Sequence, residues 1–123
     1  MTKLKNDLEE RTTKFSKDII GFLRQLKKDL ITTPLISQLV RSATSIGANY
    51  CEANGASSKK DFKNKIYICK KECKETKYWL EIIADSVPET KIDCRKLWKE
   101  AQELTLIFSK IIITLENKNK KEI

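Results

Sequence analysis

Four stretches of this sequence space their apolar residues alternately four and three positions apart, and nothing else in the chain restricts its fold so tightly. The clearest is Phe62, Ile66, Cys69, Cys73, Thr76, Leu80 and Ile83, an unbroken 4, 3, 4, 3, 4, 3 run. That spacing keeps one side of an α-helix apolar, whereas a strand needs alternation at every second residue. Leu97, Ala101, Leu104, Phe108, Ile111 and Leu115 repeat it, as do Leu35, Leu39, Ser42, Ile46, Asn49 and Ala53. Leu8, Phe15, Ile19, Phe22, Leu26 and Leu30 complete the set.

The breaks between seams carry helix punctuation. Thr32-Thr33-Pro34 offers a Thr cap followed by Pro in the first turn. Asn54-Gly55 suits a left-handed helix end, Ser57 or Ser58 a cap for the third helix, and Asp93 a cap for the fourth. Val87-Pro88 stops the third. The seams and caps predict helices over about 5–30, 34–53, 58–85 and 93–117, with a frayed polar tail at 118–123. Between residues 34 and 56 only Arg41 and Glu52 are charged, and a second stripe of Ile36, Val40, Ala43 and Gly47 adjoins the first. The second helix is therefore expected to be the central, most enclosed one. One all-α domain follows, an antiparallel up-down-up-down four-helix bundle.

The chain has only three Gly and two Pro among 123 residues, and neither a G-x-x-x-x-G-K nor a G-x-G-x-x-G pattern, so no phosphate loop is expected. It has no histidine, the commonest general base and metal ligand. Its start, MTKLKNDLEERTTKF, is too polar for a signal peptide, and the longest apolar run, near Ile107 to Leu115, is interrupted by Ser109, Lys110 and Thr114. A cytoplasmic protein with reduced cysteines is expected.

Ser45 to Phe62 reads SIGANYCEANGASSKKDF, unusually rich in small and polar residues for a core helix. Ala43, Gly47 and Ala48 permit close backbone approach, and Gly47 costs up to about 1 kcal/mol against Ala in a helix, so tight packing is its expected reason. Asn49 on a seam must find a hydrogen bond, and such residues fix register or assembly. The order Arg41, then Ser45-Ile46-x-Ala48-Asn49-x-x-Glu52, then Ser58-Lys59-Lys60-x-Phe62, resembles the bacterial four helix bundle protein family. That family includes proteins encoded within 23S rRNA intervening sequences, and the Avd accessory protein of diversity-generating retroelements is a related bundle. The resemblance spans about residues 15–115. It departs at Gly47, where the family often has Pro, and at Cys51-Glu52-Ala53-Asn54-Gly55, in place of a commoner Ala-Glu-Gly run. The resemblance implies a bundle that assembles into a homo-oligomeric ring, commonly a pentamer, with no catalysis. Avd-like relatives bind a reverse transcriptase and nucleic acid, so RNA or a reverse-transcriptase-like protein is the implied partner.

Reactive chemistry is sparse. Cys69 and Cys73 lie four residues apart on one helix face, yet zinc would need two more ligands, with only Cys51 and Cys94 remaining. Both lie on the apolar seam, where Cys serves as a small hydrophobe. The pairs Glu72 with Glu75 and Glu100 with Glu103 lack the histidine of a di-iron pattern and read as solvated charge. No catalytic, metal or cofactor site is expected.

The functional signal lies on the third helix. One position beyond its seam stand Lys63, Tyr67, Lys70, Lys74, Lys77 and Glu81; one position before it stand Asp61, Lys65, Ile68, Glu72, Glu75 and Trp79. One edge is basic and the other acidic, and Lys59, Lys60 and Lys71 add to the basic side. The chain carries +8 overall. Three readings remain open: lysines on phosphates with Tyr67 or Tyr78 stacked on unpaired bases; the basic edge of one subunit against the acidic edge of the next; or long side chains covering the seam with their heads in water. Arg41, Ser45, Gly47, Asn49 and Glu52 are the candidate assembly residues. The expected function is a non-enzymatic scaffold that binds RNA or a nucleic-acid-processing protein, the alternative a protein-interaction module without nucleic acid. No membrane partner is expected, because no face is seen to combine lysine with a large exposed apolar stripe.

Overall fold

The computed structural model describes the backbone of residues 2–122 and the side chains of residues 7–118. Four α-helices run in order: α1 (Thr2–Arg24), α2 (Thr32–Asn54), α3 (Lys59–Ser86) and α4 (Lys91–Glu122), with a 3₁₀ turn at Pro88–Thr90 before α4. No strand occurs among the described residues. α2 packs on α1 and α3, and α4 packs on α3 and α1. Each helix thus has two neighbours, and the four seams meet in the middle.

Ile66, Cys69, Cys73, Thr76, Leu80 and Ile83 of α3 are all buried. Leu39, Ile46, Phe15, Ile19, Leu104 and Phe108 close the core from the other helices. Gly47 lies against α1: a Cβ built there would sit 3.2 Å from Thr12 Oγ1 and 3.5 Å from the Thr12 carbonyl carbon. Thr12 is itself wholly buried, its hydroxyl donating to the Leu8 carbonyl at 2.9 Å. Close helix approach, not chain flexibility, is what Gly47 supplies.

The ends of the helices differ from the pattern read in the sequence. α1 stops at Arg24, not near residue 30, and Leu30 is almost fully exposed instead of extending the core stripe. The cause is a braced turn. Asp29 Oδ1 accepts the Ile31 and Thr32 amides at 2.9 and 2.8 Å, while Thr32 Oγ1 accepts the Asp29 amide and donates to the Lys27 carbonyl. Asp29, not a threonine, therefore caps the start of α2, and these backbone donors hold its carboxyl below the usual range. Gly55 closes α2 at φ −98°, so the left-handed end expected at Asn54-Gly55 does not form. Asn54 Nδ2 instead donates to Glu9 Oε1 of α1 at 2.7 Å. Ser58 caps α3 by accepting the Asp61 amide at 3.0 Å. Asp93 falls in the first turn of α4, not at its cap, and the helical backbone continues through the polar tail to Glu122; Ile123 lies outside the described residues.

α2 is not the enclosed central helix. Its positions Thr33, Ser37, Ala48 and Cys51 are exposed, and Asn49 is only half-buried. Ala48 therefore plays no part in the close approach made at Gly47.

Candidate nucleic-acid interface

α3 has two flanks because it is wedged between two helices, and their charges meet different fates. The flank toward α2 holds the acidic edge. Arg41 of α2 reaches across to Glu72 Oε2 at 3.2 Å and Glu75 Oε1 at 2.6 Å. Glu72 is buried, and that guanidinium is the ion-pair partner it meets there. Arg41 holds the Glu75 carboxyl below its ordinary value, and the Trp79 indole N–H also donates to it at 3.3 Å. Lys65 pairs with Glu52 of α2 at 3.0 Å. Arg41 and Glu52 of α2 thus engage Glu72, Glu75 and Lys65 of this edge within the chain.

The candidate assembly residues are likewise engaged internally. Besides Arg41, Glu52 and Gly47, Ser45 Oγ donates to the Arg41 carbonyl at 2.6 Å and Asn49 Nδ2 to the Ser45 carbonyl at 2.8 Å.

The basic edge, toward α4, divides in two. Lys63 pairs with Glu116 at 2.7 Å, and the Tyr67 hydroxyl donates to the same carboxylate at 2.8 Å. Lys77 donates to Gln102 Oε1 at 2.6 Å and stands 5.3 Å from the centre of the Trp98 ring. Lys63 and Lys77 are therefore clamps between α3 and α4, and Tyr67 is held in place by its hydroxyl. Lys60, Lys70, Lys71 and Lys74 form no ion pair among the described residues. Lys59 is engaged as well and is not counted with them. Four ammonium groups without an ion pair among the described residues thus run along α3, Lys60 ahead of, and Lys70, Lys71 and Lys74 between, two exposed rings. Tyr67 is one, and Tyr78, packed edge-on against Trp79 with centroids 4.9 Å apart, is the other.

The sequence did not mark which lysines were spoken for. Glu116 and Gln102 are remote in the chain, and only the register of α4 on α3 brings them opposite Lys63 and Lys77.

The thiols form no site. Cys69 and Cys73 are buried, and burial pushes each up to about 12. Cys94 is buried and Cys51 exposed, and no group of three or more metal-ligating side chains occurs among the described residues.

Comparison with known proteins places this geometry in context. The family model described as 23S rRNA-intervening sequence protein matches residues 5–110. Among solved structures, a protein of unknown function from the S23 ribosomal protein family of Bacteroides thetaiotaomicron VPI-5482 superposes with a TM-score of 0.76 at 33% identity, over 85% of this chain and 96% of that one. No curated protein matches the chain.

Proposed function

This chain belongs to the 23S rRNA-intervening sequence protein family, and on that footing we propose that it is a non-enzymatic scaffold that binds RNA along the outer face of α3. The observation that carries this reading is the row Lys60, Lys70, Lys71 and Lys74, without carboxylate partners among the described residues, interleaved with the exposed rings of Tyr67 and Tyr78. Ammonium groups without partners release phosphate counterions at little internal cost, and ordered aromatic rings stack on unpaired bases without demanding a sequence. A reverse-transcriptase-like protein, implied by the resemblance to Avd, is the alternative occupant of the same basic surface.

The bundle is read as antiparallel, up-down-up-down. Glu9 with Asn54 and Thr12 with Gly47 support this for α1 and α2, Ser42 with Thr76 and Glu52 with Lys65 for α2 and α3, Lys77 with Gln102 and Lys63 with Glu116 for α3 and α4. In each pair of helices one number rises as the other falls. The protein is further proposed to act in the cytoplasm as a homo-oligomer, with a pentameric ring as the family-derived expectation. The exposed positions Thr33, Ser37, Ala48 and Cys51 of α2 carry no charge, which supports α2 as the face that meets another copy. A ring would multiply weak phosphate contacts into avid ones.

Fluorescence anisotropy of a labelled, partly single-stranded RNA across a salt series tests the reading, with particle mass recorded at each salt. Binding should weaken steeply as salt rises, and Lys60→Gln, Lys70→Gln, Lys71→Gln and Lys74→Gln together should flatten that slope by up to about 3–4 units. An intact particle that binds no RNA at low salt would instead leave a protein-interaction module.

A further inference from the structure

Grooves open on two sides of α4, and their charges behave differently. In the one facing α1, Arg11 donates to both oxygens of Glu100 at 2.7 and 2.8 Å, and Lys14 pairs with Asp18 at 2.7 Å. In the one between the last turns of α3 and the first turns of α4, the charges stand apart by sign. Glu81 and Asp85 are on its α3 wall; Lys91, Arg95 and Lys99 are on its α4 wall. All five are exposed, and none forms an ion pair or a side-chain hydrogen bond among the described residues.

Tyr78 and Trp98, one from each helix, bring rings to this groove, which offers about 760 Å³, a volume typical of small-molecule sites. The Trp98 indole N–H is sealed from solvent and meets no acceptor among the described residues. A buried donor left so costs about 1–3 kcal/mol, which an incoming acceptor relieves. Lys77, 5.3 Å from the centre of the Trp98 ring, adds a further cation beside the two carboxylates.

We propose that this groove binds a ribonucleotide. The cations of α4 meet its phosphate, the carboxylates of α3 accept from its ribose hydroxyls, and its base packs on Tyr78 and Trp98. The division of the walls by sign favours this chemistry. Inorganic phosphate or an acidic peptide engages only the α4 wall and faces like charge on the other. An apolar ligand leaves both walls unpaired. A nucleotide carries an anion at one end and hydroxyl donors beside it. The site stands apart from the lysine row of α3, although Tyr78 borders both, and a free nucleotide or the unpaired end of an RNA makes the same contacts. The fold builds it, not the spacing: the 3₁₀ turn at Pro88–Thr90 lays the start of α4 against the end of α3.

The test is heteronuclear NMR of the two tryptophan indole N–H groups, titrated with adenosine monophosphate (AMP). Trp98→Phe assigns the signals. AMP should move the Trp98 signal and leave that of Trp79, which is bonded to Glu75. Arg95→Gln with Lys99→Gln should weaken binding at least about tenfold. Glu81→Gln with Asp85→Asn should weaken it at least about threefold. Unchanged or tighter binding by that second pair overturns the proposal, because carboxylates that merely repel the phosphate are relieved by neutralisation. These four side chains are exposed and unpaired, so both variants should melt like the intact chain. A short oligoadenylate that moves the Trp98 signal where AMP does not supports the RNA end as the source; a Trp98 signal that neither moves overturns the proposal. The Lys60, Lys70, Lys71 and Lys74 to Gln variant should respond to AMP as the intact chain does, so failure of this site and failure of RNA binding along α3 are read separately.

Discussion

The Thr76 hydroxyl donates to Ser42 Oγ 3.0 Å away, at a point on the α2–α3 seam where both residues have no solvent exposure. Ser42 passes its own proton to the Leu39 carbonyl at 3.2 Å. The two residues are therefore unequal partners. Thr76→Val leaves Ser42 with its acceptor and should cost about 0.5–1.5 kcal/mol, whereas Ser42→Ala strands the Thr76 proton and should cost about 1–3 kcal/mol. The double variant should be more stable than the sum of the two losses, and urea denaturation of all four proteins measures that difference.

Gly47 is a packing residue. Gly47→Ala gains helix propensity worth up to about 1 kcal/mol but presses its methyl on Thr12 Oγ1 at 3.2 Å, and Thr12 is pinned by the Leu8 carbonyl. A small net loss of stability is expected, and in a Thr12→Ala background the same change should become stabilising relative to Thr12→Ala alone. A gain of the full helix propensity in the wild-type background would show that α1 yields freely.

Arg41 holds two carboxylates of α3. Arg41→Ala should destabilise by about 1–3 kcal/mol, at the low end for the half-exposed guanidinium and at the high end for the buried Glu72 left behind. Because the Glu75 carboxyl is depressed below its ordinary 4.5 by Arg41, its contribution is fully present above pH 4.5 and is lost as pH falls through the lower folded value. The acid limb of the stability curve should be shallower in Arg41→Ala, as thermal melts between neutral and acid pH would show.

The thiols give a chemical readout of the core. Near neutral pH a disulfide reagent should label Cys51 quickly and Cys69, Cys73 and Cys94 only as fast as the chain opens. Cys69 and Cys73 are raised from 9.0 to about 12 by burial, so stability should be intact below pH 9 and fall between the two values. Fast labelling of three or more thiols in the native state would mean that the core is open.

The helices and their buried faces were legible because periodicity is local. A side chain's direction follows from its place in the turn, so Ile66 through Ile83 declared their face without knowledge of any partner. Ser58 was legible as a cap for the same reason: its bond to the Asp61 amide spans three residues. The absence of histidine, the surplus of lysine and the row of basic residues on α3 are likewise properties of the chain itself.

Tertiary structure decided which charges were free, and it decided with the local Asp29 turn where α1 stopped. Leu30 matches the apolar spacing as well as Leu26 does, yet Leu26 is buried and Leu30 exposed, because the chain must reverse to bring α2 onto α1 and Asp29 stabilises the reversal. Lys63 and Lys74 are alike as letters, but only Lys63 faces a carboxylate, Glu116, whose place depends on how α4 slides along α3. Spacing along a chain reports which way a side chain points; what it meets there depends on the register between helices, and that is settled only when the four seams pack together.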